Sequence, residues 1–180
     1  MRIEIKDVTG HNIDDLVRLC YMAKSEDERH AQTLKEGGLR KREWIEKALK
    51  RFGTCAILAI ADGKPVGFVE FYPMSAFPLL PERNKRTIMI TCVFVSSKNL
   101  QGTGIGSKLL QALIEKLQQT PMKSFDGKKA EEIVIGSWGC HVGFPDSLPR
   151  FRNFFLKNGF KEDSTFPDPT KKGGILVYML

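Results

Sequence analysis

Cysteine is scarce in this chain and its spacing excludes two classes of site. The four cysteines (Cys20, Cys55, Cys92, Cys140) are widely separated, three lie inside apolar runs, and no CxxC pair exists. That pattern predicts neither a zinc site nor a disulfide framework, and it fits a reducing, cytoplasmic setting. Long apolar runs are also missing. Nothing approaches the roughly 20 residues that span a bilayer, and the amino end, MRIEIKDVTG, has no apolar block of the signal-peptide kind. Internal repeats, low-complexity blocks and linker-like breaks are absent too, so residues 1–180 are expected to form one domain with a sizeable core.

Charge is plentiful but not organised for nucleic acid. The formal net charge is +7, yet Arg40, Lys41, Arg42, Lys47, Lys50 and Arg51 share a predicted helix with Glu43 and Glu46 and read as a solvated face. No stripe of stacking or base-reading side chains accompanies them, so specific nucleic-acid binding is not expected. A positive field of this size suits an anionic small ligand equally well.

Periodicity divides the chain into alternating elements. Residues 2–8 read as a strand. Asn12 is expected to cap a helix carrying Ile13, Leu16, Val17 and Cys20. The polar stretch 24–41 reads as loop with at most a helical turn. Trp44, Ile45, Ala48, Leu49 and Phe52 form a helical stripe ended by Gly53. Strands at 54–61 and 65–72 flank a tight turn at Asp62-Gly63-Lys64. A proline-rich loop leads to 86–95, apolar on both faces and therefore central. A helix from Ile105 to Leu117, a strand at 131–139, a helix capped by Ser147 and closed at Asn158-Gly159, and a last strand at 173–180 complete the order β-α-α-β-β-β-α-β-α-β-β. This is an α/β fold with a sheet of mixed direction.

The most informative segment is NLQGTGIGSKLL (99–110), glycines set between a central strand and an amphipathic helix. Its G-x-G-x-G spacing departs from the Rossmann G-x-G-x-x-G, and Lys108 is misplaced for a P-loop. What remains is a turn whose missing Cβ atoms let a ligand reach the main chain, with helix-start N–H groups aimed outward for an anion.

Gln101-x-x-Gly104-x-Gly106 resembles the Q/R-x-x-G-x-G/A acyl-CoA motif of the GNAT family, the Gcn5-related N-acetyltransferases; CVFV before it, Ile105, Leu109 and Leu110 after it, and the later KNGF (157–160) agree. The resemblance implies a single-domain, mostly antiparallel mixed sheet flanked by helices, with splayed central strands. It implies acetyl-CoA as cosubstrate without a metal, and direct transfer of an acetyl group to a primary amine on a small molecule or peptide. No membrane partner is implied, and a homodimer is allowed. Val93, Phe94 and Val95 would hold the pantetheine arm. Gln101, Gly102, Thr103, Gly104, Ile105 and Gly106 would hold the pyrophosphate, with Ser107 near enough to help.

The same resemblance exposes a departure. The family's usual acid, a tyrosine four residues before the glycine of the terminal G-F, is Phe155 here, and Leu148 replaces the asparagine often found seven residues earlier. A second reading follows: an acyl-CoA-binding sensor or interaction module with weak catalysis. Strand 86–95 carries no acid, so the base must come from elsewhere. Glu70, among the apolar residues of VGFVEFY, is the candidate proton acceptor, and Tyr72 on the same strand an alternative acid. His141 and Cys140, in SWGCHVGFPDS (137–147), are further candidates for proton transfer or nucleophilic work. Loops 24–40, 73–86 and 139–147, with Phe77, Leu79, Leu80 and Phe144, are expected to shape the acceptor site.

Overall fold

The structure, a computed structural model, describes residues 2–21, 28–77, 83, 85–96, 98–136, 148–163 and 175–180. Its elements are β1 (Ile3–Asp7), α1 (Ile13–Cys20), α2 (Glu28–Phe52), β2 (Ala56–Ala61), β3 (Lys64–Pro73), β4 (Thr87–Val95), α3 (Ile105–Gln119), β5 (Glu132–Gly136), α4 (Leu148–Lys157), β6 (Lys161–Asp163) and β7 (Ile175–Met179). This is the order that periodicity predicts. The strands form one seven-stranded open sheet in the order β1-β2-β3-β4-β5-β7-β6, with β4 in the middle. The β1–β2, β2–β3, β5–β7 and β6–β7 pairs are antiparallel, and β4–β5 is parallel. The contacts fall into two compact units, Met1–Glu70 with Cys92–Leu113 and Phe71–Thr91 with Ile114–Leu180.

In the first unit, β2 and β3 are joined by a two-residue turn, Asp62-Gly63, with Ala61 paired to Lys64. Both turn residues have positive φ, as a tight hairpin of matching twist requires. Ile13, Leu16 and Leu19 of α1 and Ile45, Ala48 and Phe52 of α2 are buried with the strand AILAIA. Each such aliphatic side chain taken from water contributes about 1.5–3 kcal/mol.

Three expectations in this unit need correction. Residues 28–41, expected as loop with at most a helical turn, are helical: α2 begins at Glu28 and runs through Gly37-Gly38. The glycine is there for packing, because a Cβ on Gly37 would stand 2.9 Å from the Tyr21 ring; the Lys, Glu, Arg and Leu around it are good helix formers. Trp44, placed in the buried stripe, is 42% exposed. Asn12 precedes α1 but makes no cap bond to it. Its side chain instead accepts from the Thr9 N–H at 2.7 Å and donates to the Asp7 carbonyl at 3.0 Å, so it ties the preceding turn.

In the second unit, α4 ends as expected. Phe160 N–H donates to the Phe155 carbonyl at 3.1 Å and Gly159 N–H to that of Leu156 at 3.1 Å. This is the crossed pair that closes a helix on a left-handed glycine. Glu132 of β5 is fully buried; its carboxylate takes Arg83 Nε at 2.5 Å and the Thr87 hydroxyl at 2.6 Å. Arg83 also reaches Asp163 at 3.0 Å.

Phe155 is 0% exposed. Its ring meets Phe151, Phe154 and Phe160 at centroid separations of 4.8, 5.0 and 5.1 Å. A residue in this setting acts as core. Phe155→Ala is therefore expected to cost about 3–5 kcal/mol of unfolding free energy, read from the shift in denaturant midpoint. A loss below about 1 kcal/mol would show that the aromatic cluster is not a packing centre.

Candidate functional site

The site grows from the first unit, where β4 passes into the glycine turn. The register of β4 with β5 pairs Thr87 to Ile90 with Glu132 to Ile135 and stops there, while β4 runs on to Val95. Burial changes at the same point: Thr87, Ile88 and Ile90 are buried, whereas Cys92, Val93, Phe94 and Val95 are half-buried. Strand backbone of this kind can pair with an extended chain that has amide groups of its own. On the other edge, Ser96 N–H donates to the Val66 carbonyl at 2.9 Å, and the Phe68 and Phe94 rings lie 5.7 Å apart. Gly67 makes the approach possible, since a Cβ there would stand 2.7 Å from the Phe94 carbonyl oxygen. Gly67→Ala should thus cost about 1–3 kcal/mol, as overpacking against backbone does; an unchanged melting temperature would contradict the close approach.

The turn after β4 is held by its own side chains. Gln101 Nε2 donates to the Val95 carbonyl at 3.3 Å, and the Thr103 hydroxyl donates to the Leu100 carbonyl at 2.6 Å. Gly102 and Gly104 have φ of +80° and +90°, a conformation that side chains disfavour, and a Cβ on either would meet nothing within 4 Å. The space over the turn is open. Lys108 N–H donates to the Gly104 carbonyl at 3.0 Å and makes the first helical bond of α3. The N–H groups of Gly104, Ile105, Gly106 and Ser107 therefore precede the helical ladder. No acidic residue occupies the first turn of α3, so its positive end is not offset by side chains. The N–H groups of Gln101 and Thr103 are already turned inward, to the Lys98 and Leu100 carbonyls at 3.3 and 3.4 Å. Those two N–H groups are thus not available to the expected phosphate seat.

Glu70 is 2% exposed. It lies neither at a solvent edge nor in purely apolar surroundings, because Lys41 Nζ of α2 donates to both of its carboxylate oxygens at 2.6 Å. Lys41 was assigned to a solvated face; its side chain is only 23% exposed. Burial alone would lower the Lys41 pKa, but the charge and hydrogen bonds of Glu70 more than offset it, with smaller contributions from Cys20 and Cys92, and hold it above the ordinary lysine value. The signal for Lys41 was in the sequence: Gly38, Lys41, Ile45, Ala48 and Phe52 recur at helical spacing, and the other four are buried.

Tyr72 is fully buried with its ring edge-on to Phe77 at 5.9 Å. His141 and Cys140 lie outside the described residues, as do Leu79, Leu80 and Phe144. Among the described residues no group of His, Cys, Asp or Glu could hold a metal ion, and no helix is long and apolar enough to cross a membrane.

Burial, first, and Glu70, against the opposing charge of Lys41, push the Cys55 thiol up to about 12; burial also dominates at Cys20, pushed up to about 11. Both thiols are raised, so the reactive thiolate is scarce at neutral pH and grows only as pH approaches those values. Alkylation of the native protein should spare Cys20 and Cys55 at pH 7, with mass-mapped labelling as the check; rapid labelling of Cys55 in folded protein would contradict its placement.

An α/β sheet whose central strand runs into a glycine turn and a helix start presents main-chain N–H groups of the kind that suit an anion. A family model described as the acetyltransferase (GNAT) family matches residues 12–126, and the chain belongs to that family. The match takes in Lys41, Glu70, β4 and the glycine turn, and ends before the segment with Cys140, His141 and Phe155. Solved structures share the fold. The PaiA N-acetyltransferase of Thermoplasma acidophilum in complex with coenzyme A is 17% identical, with all of both chains covered and a TM-score of 0.61. The aminoglycoside acetyltransferase AAC(6')-Ib in complex with coenzyme A is 18% identical over 99% of this chain and 95% of that one, with a TM-score of 0.63. PH1933 from Pyrococcus horikoshii OT3 is 20% identical over 99% of each, with a TM-score of 0.58. No curated protein matches the chain.

Proposed function

We propose that this protein is an acetyl-CoA-dependent N-acetyltransferase that passes the acetyl group directly to a primary amine. One observation carries the reading: the N–H groups of Gly104 to Ser107 precede the first helical bond of α3 and follow directly on a half-buried strand. Family membership and the coenzyme A held by the PaiA and AAC(6')-Ib structures support it. Gly104, Ile105, Gly106 and Ser107 would hold the pyrophosphate by main-chain N–H groups, with the helix dipole assisting. Val93, Phe94 and Val95 would hold the pantetheine arm along β4. When bound, acetyl-CoA supplies the activated acyl group.

This chain's own residues do the rest. An amine arrives as an ammonium, which has no lone pair until it gives up a proton. Glu70 of β3 accepts that proton. Main-chain N–H groups of β4 beyond Ile90 donate to the oxyanion. Proton return to the sulfur is assigned to solvent or to Cys140 or His141. Phe155, fully enclosed by aromatic rings, favours the second reading, an acyl-CoA-binding module with weak turnover.

Calorimetric titration with acetyl-CoA and with CoA tests the binding, and thiol release over a panel of amines separates the two readings. Saturable binding with release on some amine is the expected result. Gly104→Asp, which adds bulk and a negative charge at the phosphate seat, should weaken binding by at least about 100-fold while the protein stays folded, an effect near 3 kcal/mol. Unchanged affinity in that variant would remove the site assignment. Binding without release on any amine would favour the module.

A further inference from the structure

We propose that the exposed stripe Arg40, Trp44, Lys47 and Arg51 of α2 is a docking site for an acidic segment of a partner protein. The inference goes beyond the transferase reading and does not depend on it.

Spacing is the first argument. At 3.6 residues per turn, positions 40, 44, 47 and 51 fall within a stripe about 60° wide that runs for about 16 Å along the helix. All four residues are exposed, Trp44 at 42%. The apolar face of the same helix is engaged elsewhere, since Ile45, Ala48 and Phe52 are buried in the core. Trp44 is therefore not part of that face. It stands between Arg40 and Lys47, an indole surface flanked by cations, and tryptophan and arginine are the residues over-represented at the energetic centres of protein contacts.

The state of the charges is the second argument, because the cations of α2 divide into two kinds. Lys41 is held by Glu70, and Arg42 by Asp14 and by Glu46. Among the described residues, Arg40, Lys47 and Arg51 make no hydrogen bond or ion pair. Arg51 only lies over the Phe52 ring, 5.1 Å from its centroid. Glu43 stands three residues after Arg40 and four before Lys47, the spacings at which helix pairs form, yet it is bridged to neither. Three charges on one stripe thus remain open to a partner's carboxylates.

Charge complementarity calls for an anionic occupant, and the stripe selects a peptide. A helix that lies on a membrane needs an apolar face as well as a basic one. Here that face is in the core, and Leu39, the other exposed large apolar residue of α2, lies about 140° around the helix from Trp44. Single-stranded nucleic acid is bound in a basic groove with several stacking rings, whereas this stripe is the outer curve of a helix with one ring. Its phosphates carry charge at every nucleotide, and Glu43 would repel them. A peptide sets its carboxylates singly and can place a neutral residue opposite Glu43. Acidic side chains on one face of an extended segment recur about every 6.8 Å, close to the rise of about 6 Å between Lys47 and Arg51. An apolar side chain between them meets Trp44. The contact is small and electrostatically steered.

The test uses the full chain carrying Trp138→Phe, which leaves Trp44 as its one indole. The probe is a synthetic peptide of alternating glutamate and serine around a central leucine; its glutamine counterpart and oligouridylate of similar length are the comparisons. At low salt the glutamate peptide should change Trp44 fluorescence saturably, with calorimetry in agreement, and its affinity should fall severalfold as ionic strength rises. The combined Arg40→Ala, Lys47→Ala and Arg51→Ala variant should bind it at least about tenfold more weakly. The combined Lys64→Ala, Lys128→Ala and Lys129→Ala variant loses three exposed charges elsewhere and should stay within about twofold of the parent. Glutamates at positions 40, 47 and 51 together should transfer binding to the lysine counterpart of the peptide, which also shows that the altered stripe is folded. Equal weakening in the two alanine variants would reduce the effect to net charge and overturn the proposal. So would a glutamine peptide bound as tightly as the glutamate one, or no saturable binding at low salt. Tighter binding of oligouridylate would overturn it in favour of nucleic acid. Acetyl-CoA enters none of these readouts, so failure here leaves the transferase reading standing.

Discussion

A carboxylate taken out of water must be met by a cation, and that requirement shapes both compact units of this protein. In one, Glu70 takes Lys41 from a helix; in the other, Glu132 takes Arg83 and the Thr87 hydroxyl. The two solutions differ in a telling way. Arg83 is spent on Glu132 and on Asp163, a network in which each charge has a fixed partner and which reads as scaffold. Lys41 gives two donors to one carboxylate and stays partly open to solvent. The first arrangement locks strands; the second leaves a charged pair beside the half-open middle of the sheet.

Backbone, not side chains, makes up most of the candidate cofactor site. β4 contributes main chain beyond its last partner on β5, and the glycine turn contributes N–H groups ahead of the first helical bond of α3. Such a site tolerates wide change in side chains so long as conformation is kept. That accounts for structures 17–20% identical to this chain sharing its fold over nearly their whole length. It also explains why Gly67 belongs with the site although no ligand need touch it. Its missing Cβ lets β3 lie against the Phe94 carbonyl, so it fixes the path of the strand on which the pantetheine arm would rest.

The element order was legible because each element states its period plainly: AILAIA and TIMITCVFV as buried strands, the Ile105–Leu117 stripe as a helix. What failed was governed by tertiary contact. Gly37-Gly38 reads as a break, yet α2 passes through it because the Tyr21 ring fills the place of a side chain. Asn12 reads as a helix cap, yet its amide closes the turn before the helix, where both of its polar atoms find partners. Lys41 was misread for a related reason. With 24–41 taken as loop, the apolar stripe had no turn before Trp44, and a lysine one turn ahead of Ile45 looked like part of a basic surface. At the glycine turn, composition cannot tell that the Gln101 side chain and the Gln101 and Thr103 N–H groups bond to nearby main-chain carbonyls. Phe155 was legible as a departure; only its ring contacts explain why phenylalanine suits the position.

That departure bears less on the proposed chemistry than it first suggests. At pH 7 a primary amine of ordinary pKa near 10.4 lies about three and a half units on the protonated side, so freeing its lone pair costs about 5 kcal/mol. A thiol of ordinary pKa near 8.5 lies only about one and a half units from the same pH, so departure of the unprotonated sulfur forfeits about 2 kcal/mol. The base therefore carries the larger share of the proton problem, and the acid is the part a chain can leave to solvent. On these magnitudes Phe155 can remain in the aromatic core at modest kinetic cost.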